Sequence, residues 1–251
     1  GVFVLKEPGT TEMYTLSLRA ALPSGRRRMA NKQPWARCSV LRDLEGIDGC
    51  GKSTQARLLA EQLHEAGHML VVLKEPTNGP NGSRLKEVLC GERTADAEEI
   101  LTLFAADRRE HVADRIAPAL ERGEIVLMDR YYYSALAYQC AAGIPAERIR
   151  ALNAFAPAPA LVLVFDLPVE QALERVHSHS VADTFERADH LERVRAAYLA
   201  LRDDPLVRIL DATRPPEAVA SDVWALVQEL LARSEERRVG QECRSRWSPY
   251  H

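Results

Sequence analysis

Residues 46–53 read GIDGCGKS: glycine, four residues, glycine, lysine and a hydroxyl residue. No other stretch restricts the fold as strongly. A loop of this kind offers successive backbone N–H groups and a helix start to a polyphosphate. Gly46, Gly49 and Gly51 permit close backbone approach that a side chain would block. Lys52 can reach the β- and γ-phosphates as a point charge, and Ser53 can ligate magnesium. Such a loop sits between a buried strand and a helix. The helix is legible: Leu59, Ala60, Leu63 and Ala66 recur at helical spacing. The strand before it is imperfect. SVLRDLEG carries Val40, Leu41 and Leu44, but Arg42 and Asp43 stand where a buried parallel strand should be apolar.

From about 39 to 232 the chain alternates short apolar runs with longer amphipathic ones. Strands are expected at Val40–Leu44, Met69–Leu73, Ile125–Met128, Leu161–Phe165 and Val207–Leu210. Helices are expected at Lys52–Ala66, Ser83–Leu89, Ala97–Glu121, Ser134–Ala141, Ala146–Phe155, Val169–His177, Glu186–Leu201 and Pro216–Arg233. This alternation predicts an α/β fold, a parallel five-stranded sheet with helices on both faces. Ligands in such sheets gather at the carboxyl ends of the strands. Each expected strand ends on polar residues: Glu45-Gly46, Lys74-Glu75-Pro76, Asp129-Arg130, Asp166 and Asp211.

The bulk numbers suit one medium domain with appendages: 251 residues, 46% hydrophobic, net charge −3. The near-neutral balance argues against a dedicated nucleic-acid binder. Five scattered cysteines without metal-ligand spacing fit a reducing cytoplasm. There is no apolar run long enough to span a membrane. GVFVL, broken at once by Lys6 and Glu7, is too short for a secretory signal. Residues 1–38 and 233–251 lack a sustained period and read as non-native, disordered extensions around a 39–232 domain. Met29 is a candidate start.

Several constellations carry chemistry. Asp129 closes the apolar run IVLM, where an acid beside a phosphate loop anchors magnesium. Arg130 can grip a second phosphate bidentately. In LFAADRREH, Phe104 and Arg108 lie four apart on one helix face. The ring can stack on a base while the guanidinium, a pure donor, selects a carbonyl on its edge. In DRYYYSALAYQ, three consecutive tyrosines cannot all face a core, so some should line a cleft or a partner surface. Tyr138 and Gln139 are placed to contact a nucleoside, and Ser134 to cap the following helix. Pro76 ends its strand and leaves Glu75 at the ligand edge. HSHSVADTFER, residues 177–187, is a polar linker suited to a phosphate lid. Its two histidines alone are poor evidence for a metal.

The segments LEGIDGCGKSTQ, KEPT, LFAADRREH, DRYYYSALAYQ, FDLPVEQALERV and TFER, in this order, resemble thymidylate kinase, the P-loop nucleoside-monophosphate kinase family that converts dTMP to dTDP with ATP. The resemblance covers roughly three-quarters of the chain. It implies ATP binding by Gly46, Ile47, Asp48, Gly49, Cys50, Gly51, Lys52, Ser53 and Thr54, with magnesium held by Ser53 and Asp129. It implies dTMP binding by Asp48, Glu75, Phe104, Arg108, Arg130, Ser134, Tyr138 and Gln139. Lys52, Arg130, Asp48 and Arg175 would carry catalysis, in a cytoplasmic homodimer.

One departure from the family pattern matters. Some members carry an Arg inside the phosphate loop, where this chain reads Asp48-Gly49-Cys50. The lid positions that would compensate read His177, His179 and Thr184, leaving Arg175 and Arg187 as the nearest cations. Two other readings share the loop: a deoxynucleoside kinase with Glu75 as base, and a nucleotide-binding module with little catalysis.

Overall fold

The computed structural model describes residues 41–176 and 181–246; for 181–187 and 234–246 the description stops at the backbone. Five strands form one parallel sheet: β1 (Leu41–Glu45), β2 (Leu70–Lys74), β3 (Ile125–Asp129), β4 (Leu161–Asp166) and β5 (Val207–Asp211), in the order β2-β3-β1-β4-β5. All neighbours are parallel, so the chain crosses over between strands, chiefly through helices. The central β1 is where winding reverses: β2 and β3 lie to one side, β4 and β5 to the other. A crevice at the carboxyl end of such a strand is the standard ligand position. The expected α/β architecture is the one observed.

Both faces of the sheet are covered. Along β3, Ile125 and Leu127 pack into the larger core cluster, while Val126 and Met128 pack into a smaller one on the other face. The larger cluster takes Leu59 and Leu63 of α1 (Lys52–Glu65) and Val223 and Val227 of α9 (Pro216–Arg246). It also takes Leu136 of α5 (Tyr132–Ala141), Ile149 of α6 (Ala146–Leu152), Ala172 of α7 (Val169–Arg175) and Tyr198 of α8 (Val181–Leu199). The smaller cluster lies under α4 (Ala117–Glu121).

Several local expectations change. The helix α8 begins at Val181, inside the 177–187 stretch expected as a linker and five residues before the expected Glu186, and α6 stops at Leu152 rather than Phe155. The helix expected over 97–121 is α3 (Ala97–His111), a wider π-turn at Val112–Ile116, then α4. Pro118 offers no N–H and would crowd the carbonyl four residues back, which the wider turn relieves. The helix α2 begins at Pro80, not Ser83, since proline is pre-organised for a first helical turn. The helix expected to end near Arg233 continues to Arg246. The tyrosines do all pack: Tyr131 and Tyr133 are buried, and Tyr132 is half-buried against both clusters. Tyr131 is extended and the helix starts one residue later, so the first and third rings diverge to opposite clusters.

Arg42 and Asp43 are fully buried in the middle of the central strand, opposite Leu127 and Met128 of β3. No nitrogen of the Arg42 guanidinium has a hydrogen-bond partner.

Candidate functional site

The turn after β1 wraps tightly. Gly46 has φ +137, and a Cβ there would stand 2.7 Å from the Phe165 carbonyl oxygen. A Cβ on Gly49 would meet the Ala172 carbonyl oxygen of α7 at 2.5 Å. These contacts, rather than turn propensity alone, demand glycine. Gly51, in the left-handed region, precedes α1, whose first residue is Lys52. Its ammonium is buried and donates to the carbonyls of Gly46 at 3.0 Å and Ile47 at 2.8 Å. Burial, then the Arg130 charge, lowers the Lys52 pKa. The loop's own carbonyls thus hold this cation in place.

Ser53 Oγ donates to Asp129 Oδ2 at 2.7 Å, joining α1 to the end of β3. The Lys74 ammonium lies 3.4 Å from the same oxygen, because Lys74 and Asp129 are register partners. Asp129 Oδ1 is buried and has no partner. A hydroxyl, a carboxylate and an unsatisfied oxygen suit a hard divalent cation that keeps most of its other ligands from water and phosphate. Among the described residues no cluster of three or more His, Cys, Asp or Glu side chains offers an all-protein metal cage.

Arg130 follows Asp129 with φ +72, a conformation seldom adopted by a side-chain-bearing residue. It turns the side chain back over the phosphate loop. Nη2 donates to Asp48 Oδ1 at 2.7 Å and Nη1 to Ser134 Oγ at 3.2 Å, and the guanidinium lies over the Tyr138 ring at 5.3 Å. Burial alone would lower its pKa. The Tyr138 and Tyr198 hydroxyls and the Asp48 and Glu45 carboxylates outweigh that and hold it well above the usual value.

Glu45 closes β1 and is fully buried. Its carboxylate accepts from Tyr131 N at 2.9 Å, Ser134 N at 2.8 Å, Ser134 Oγ at 2.6 Å and Tyr198 OH at 2.7 Å. Glu45 therefore caps α5 from another strand, and Ser134, expected as the cap, lies in the first turn. A carboxylate satisfies two orphan amides and meets the positive end of the helix. Tyr138 and Gln139 sit further along α5; Gln139 is buried with its Oε1 unpartnered. Burial pushes the Tyr138 hydroxyl up to about 12.

Glu75 is not at an open edge. It is 1% exposed and its Oε2 accepts from Arg108 Nε at 2.9 Å and Nη2 at 2.6 Å. Its Oε1 faces His111 Nδ1 at 3.1 Å. Arg108 Nη1 donates to Asn153 Oδ1, and Tyr131 lies 5.2 Å beneath the guanidinium. Phe104, one turn earlier on α3, is half-buried. Arg108, expected as a base-reading donor, is thus a buried cation in a network with only part of its donor set uncommitted.

On the far side of the loop lies a cleft of about 410 Å³ between Gly49, Gly51 and Thr54 on one wall and Arg175, Arg214 and Pro216 on the other. Arg175 Nη1 is 3.5 Å from the Gly49 carbonyl. The other lid positions, His177 and His179, lie outside the described residues, as do the side chains of Thr184 and Arg187. The phosphate loop therefore sits between two regions: Asp48 reaches Arg130, and Gly49 lines the cleft with Arg175.

Sequence reasoning missed Glu45, Lys74, Asn153, Tyr198 and Arg214. Glu45 and Lys74 carried a signal, since both are polar residues at strand ends. Asn153 did not: an Asn at the end of a short helix reads as an ordinary terminus.

Comparison with known proteins bears on this geometry. The family model described as Thymidylate kinase matches residues 44–223. The chain is 46% identical over 190 residues to the thymidylate kinase of Xanthomonas campestris pv. campestris strain B100, covering 75% of this chain and 83% of that protein. It is 44% identical over 195 residues to the thymidylate kinase of Xylella fastidiosa strain M12, covering 77% and 89%. A probable thymidylate kinase of Thermococcus kodakarensis is 42% identical over 199 residues, covering 75% and 97%. With a phosphate loop on the central strand, a serine–aspartate pair beside it and an arginine turned back over it, the chain belongs to the thymidylate kinase family.

Proposed function

We infer that the protein transfers the γ-phosphoryl group of ATP to dTMP, giving dTDP and ADP. The observation that carries this reading is the Arg130–Asp48 contact at 2.7 Å, which sets a phosphate-gripping cation directly against the donor loop. A nucleoside monophosphate is largely dianionic at neutral pH, its second phosphate pKa being about 6. It needs no general base. Catalysis reduces to in-line positioning of two polyanions and cancellation of their repulsion.

In this reading the cleft beside Arg175 takes the ATP nucleoside, and residues 46–54 cradle its phosphates. Lys52 exchanges loop carbonyls for phosphate oxygens. Arg130 leaves Asp48 for the acceptor phosphate, and Phe104 and Arg108 meet the base, with Tyr138 and Gln139 beside the sugar. Magnesium, when bound, neutralises phosphate charge, and Ser53 with the unsatisfied Asp129 carboxylate would hold it. Arg175 is the donor-side cation in place of the missing loop arginine. A nucleoside acceptor would instead require a carboxylate base, and Glu75 is committed to Arg108 and His111.

We further place the enzyme in the cytoplasm as a homodimer. No helix among the described residues is long and apolar enough to cross a membrane. Leu89 and Phe155 expose apolar surface that a second copy would cover. Sedimentation at micromolar protein reads the dimer directly; a monomer would remove it.

ADP release with dTMP, dUMP, UMP, dCMP, AMP and thymidine tests the reaction. The expected order puts dTMP first and gives no turnover with thymidine. Turnover of thymidine, or none of any monophosphate, overturns it.

A further inference from the structure

We propose that Asn153 is a positioning residue that sets base selectivity by holding the Arg108 guanidinium in one plane. It rests on the reading of Arg108 as the base contact. A guanidinium has five N–H donors in a rigid fork. Glu75 Oε2 takes Nε and Nη2, and Asn153 Oδ1 takes Nη1, so each terminal nitrogen keeps one N–H uncommitted. The two clamping residues come from different elements, the end of β2 and the end of α6, and Tyr131 underlies the plane.

Asn153 is itself fixed. Its Nδ2 donates to the Ile149 carbonyl at 2.8 Å, so the amide cannot flip without setting two donors face to face and losing that bond. The side chain is buried, as are Glu75 and Arg108. The oxygen therefore always faces Arg108. A fixed donor edge donates to a carbonyl and cannot turn away from an exocyclic amino group. A guanidinium free to rotate could retreat, and discrimination between the two would soften.

The test uses the full chain with ATP, comparing kcat/KM for dTMP and dCMP. The ratio is taken within one sample, so it does not depend on how much of a variant folds. In Asn153→Leu the ratio is expected to fall at least about tenfold, through a higher dTMP KM and a lower dCMP KM, with the ATP KM within about twofold. Asn153→Asp restores an acceptor for Arg108 and should return the ratio to within about threefold of the parent. Asn153→Ser, smaller but polar, serves if the leucine variant is insoluble and should also lower the ratio. An unchanged ratio in both Leu and Ser variants overturns the proposal. If the parent itself does not favour dTMP over dCMP, the proposed function fails instead, and the two failures are distinguishable.

Discussion

Arg130 donates to Asp48 across 2.7 Å, from the end of β3 to the phosphate loop after β1. Its left-handed backbone makes that reach possible, and Ser134 supports the other terminal nitrogen. A lysine has one ammonium and cannot span Asp48 and Ser134 together. Arg130→Lys should therefore lower kcat/KM for dTMP at least about tenfold while leaving the ATP KM nearly unchanged. Steady-state kinetics with each substrate varied in turn reads this; an equal change in both KM values would remove Arg130 from the acceptor side.

Lys52, proposed above as a catalytic charge, is held at a cost to stability. Its ammonium is buried on two loop carbonyls and its pKa is lowered, first by burial and then by Arg130. A base with a lowered pKa adds no stability at neutral pH. Lys52→Met should cut turnover at least about a hundredfold yet leave Tm within a few degrees of the parent, or above it. Parallel rate and melting measurements decide; near-parental turnover would exclude Lys52 from the mechanism.

What the chain disclosed in advance was local. Strands β2 to β5 were legible to within a residue because each is an apolar run closed by a turn or an acid. The Ser53–Asp129 pair was legible as well, since the motif fixes one partner and the strand end the other. The Glu75–Arg108–Asn153 network was not. Its members lie 33 and 45 residues apart, and only crossover packing brings them together. Glu45 was hidden for the same reason, accepting from Tyr198, 153 residues away. Nor could residue type separate an arginine meeting a ligand from one first bound by a carboxylate.

Arg108 is the proposed base contact, and its environment sharpens what its loss should do. Removing it leaves Glu75 and Asn153 buried without their partner, so part of the effect is on folding. Arg108→Ala alone would confound the two. The Arg108→Ala protein should bind ATP within about threefold of the parent by calorimetry, while dTMP binding falls at least about thirtyfold. Equal weakening of both ligands would contradict a base pocket at this position.

The central strand makes the strongest stability prediction. Asp43 and Arg42 are buried, neither makes a salt bridge among the described residues, and their pKa values shift in opposite directions. Burial first, then Glu45 and Glu75, raises the Asp43 pKa well above the usual value. Burial lowers the Arg42 pKa to about 9. As pH rises past about 4, the unfolded chain loses the Asp43 proton while the folded chain keeps it, so folding weakens. Above pH 9, the folded chain loses the Arg42 proton while the unfolded chain keeps it, so the Arg42 penalty shrinks. Near neutral pH both penalties act. Asp43→Val and Arg42→Leu should each stabilise the protein by about 1–4 kcal/mol at pH 7.5, a rise of several degrees in Tm. The Asp43→Val gain should shrink toward pH 4, and the Arg42→Leu gain should shrink above pH 9. Calorimetric melts across that range check both sign and window. A lower Tm for either variant at pH 7.5 would refute the burial penalty at that position.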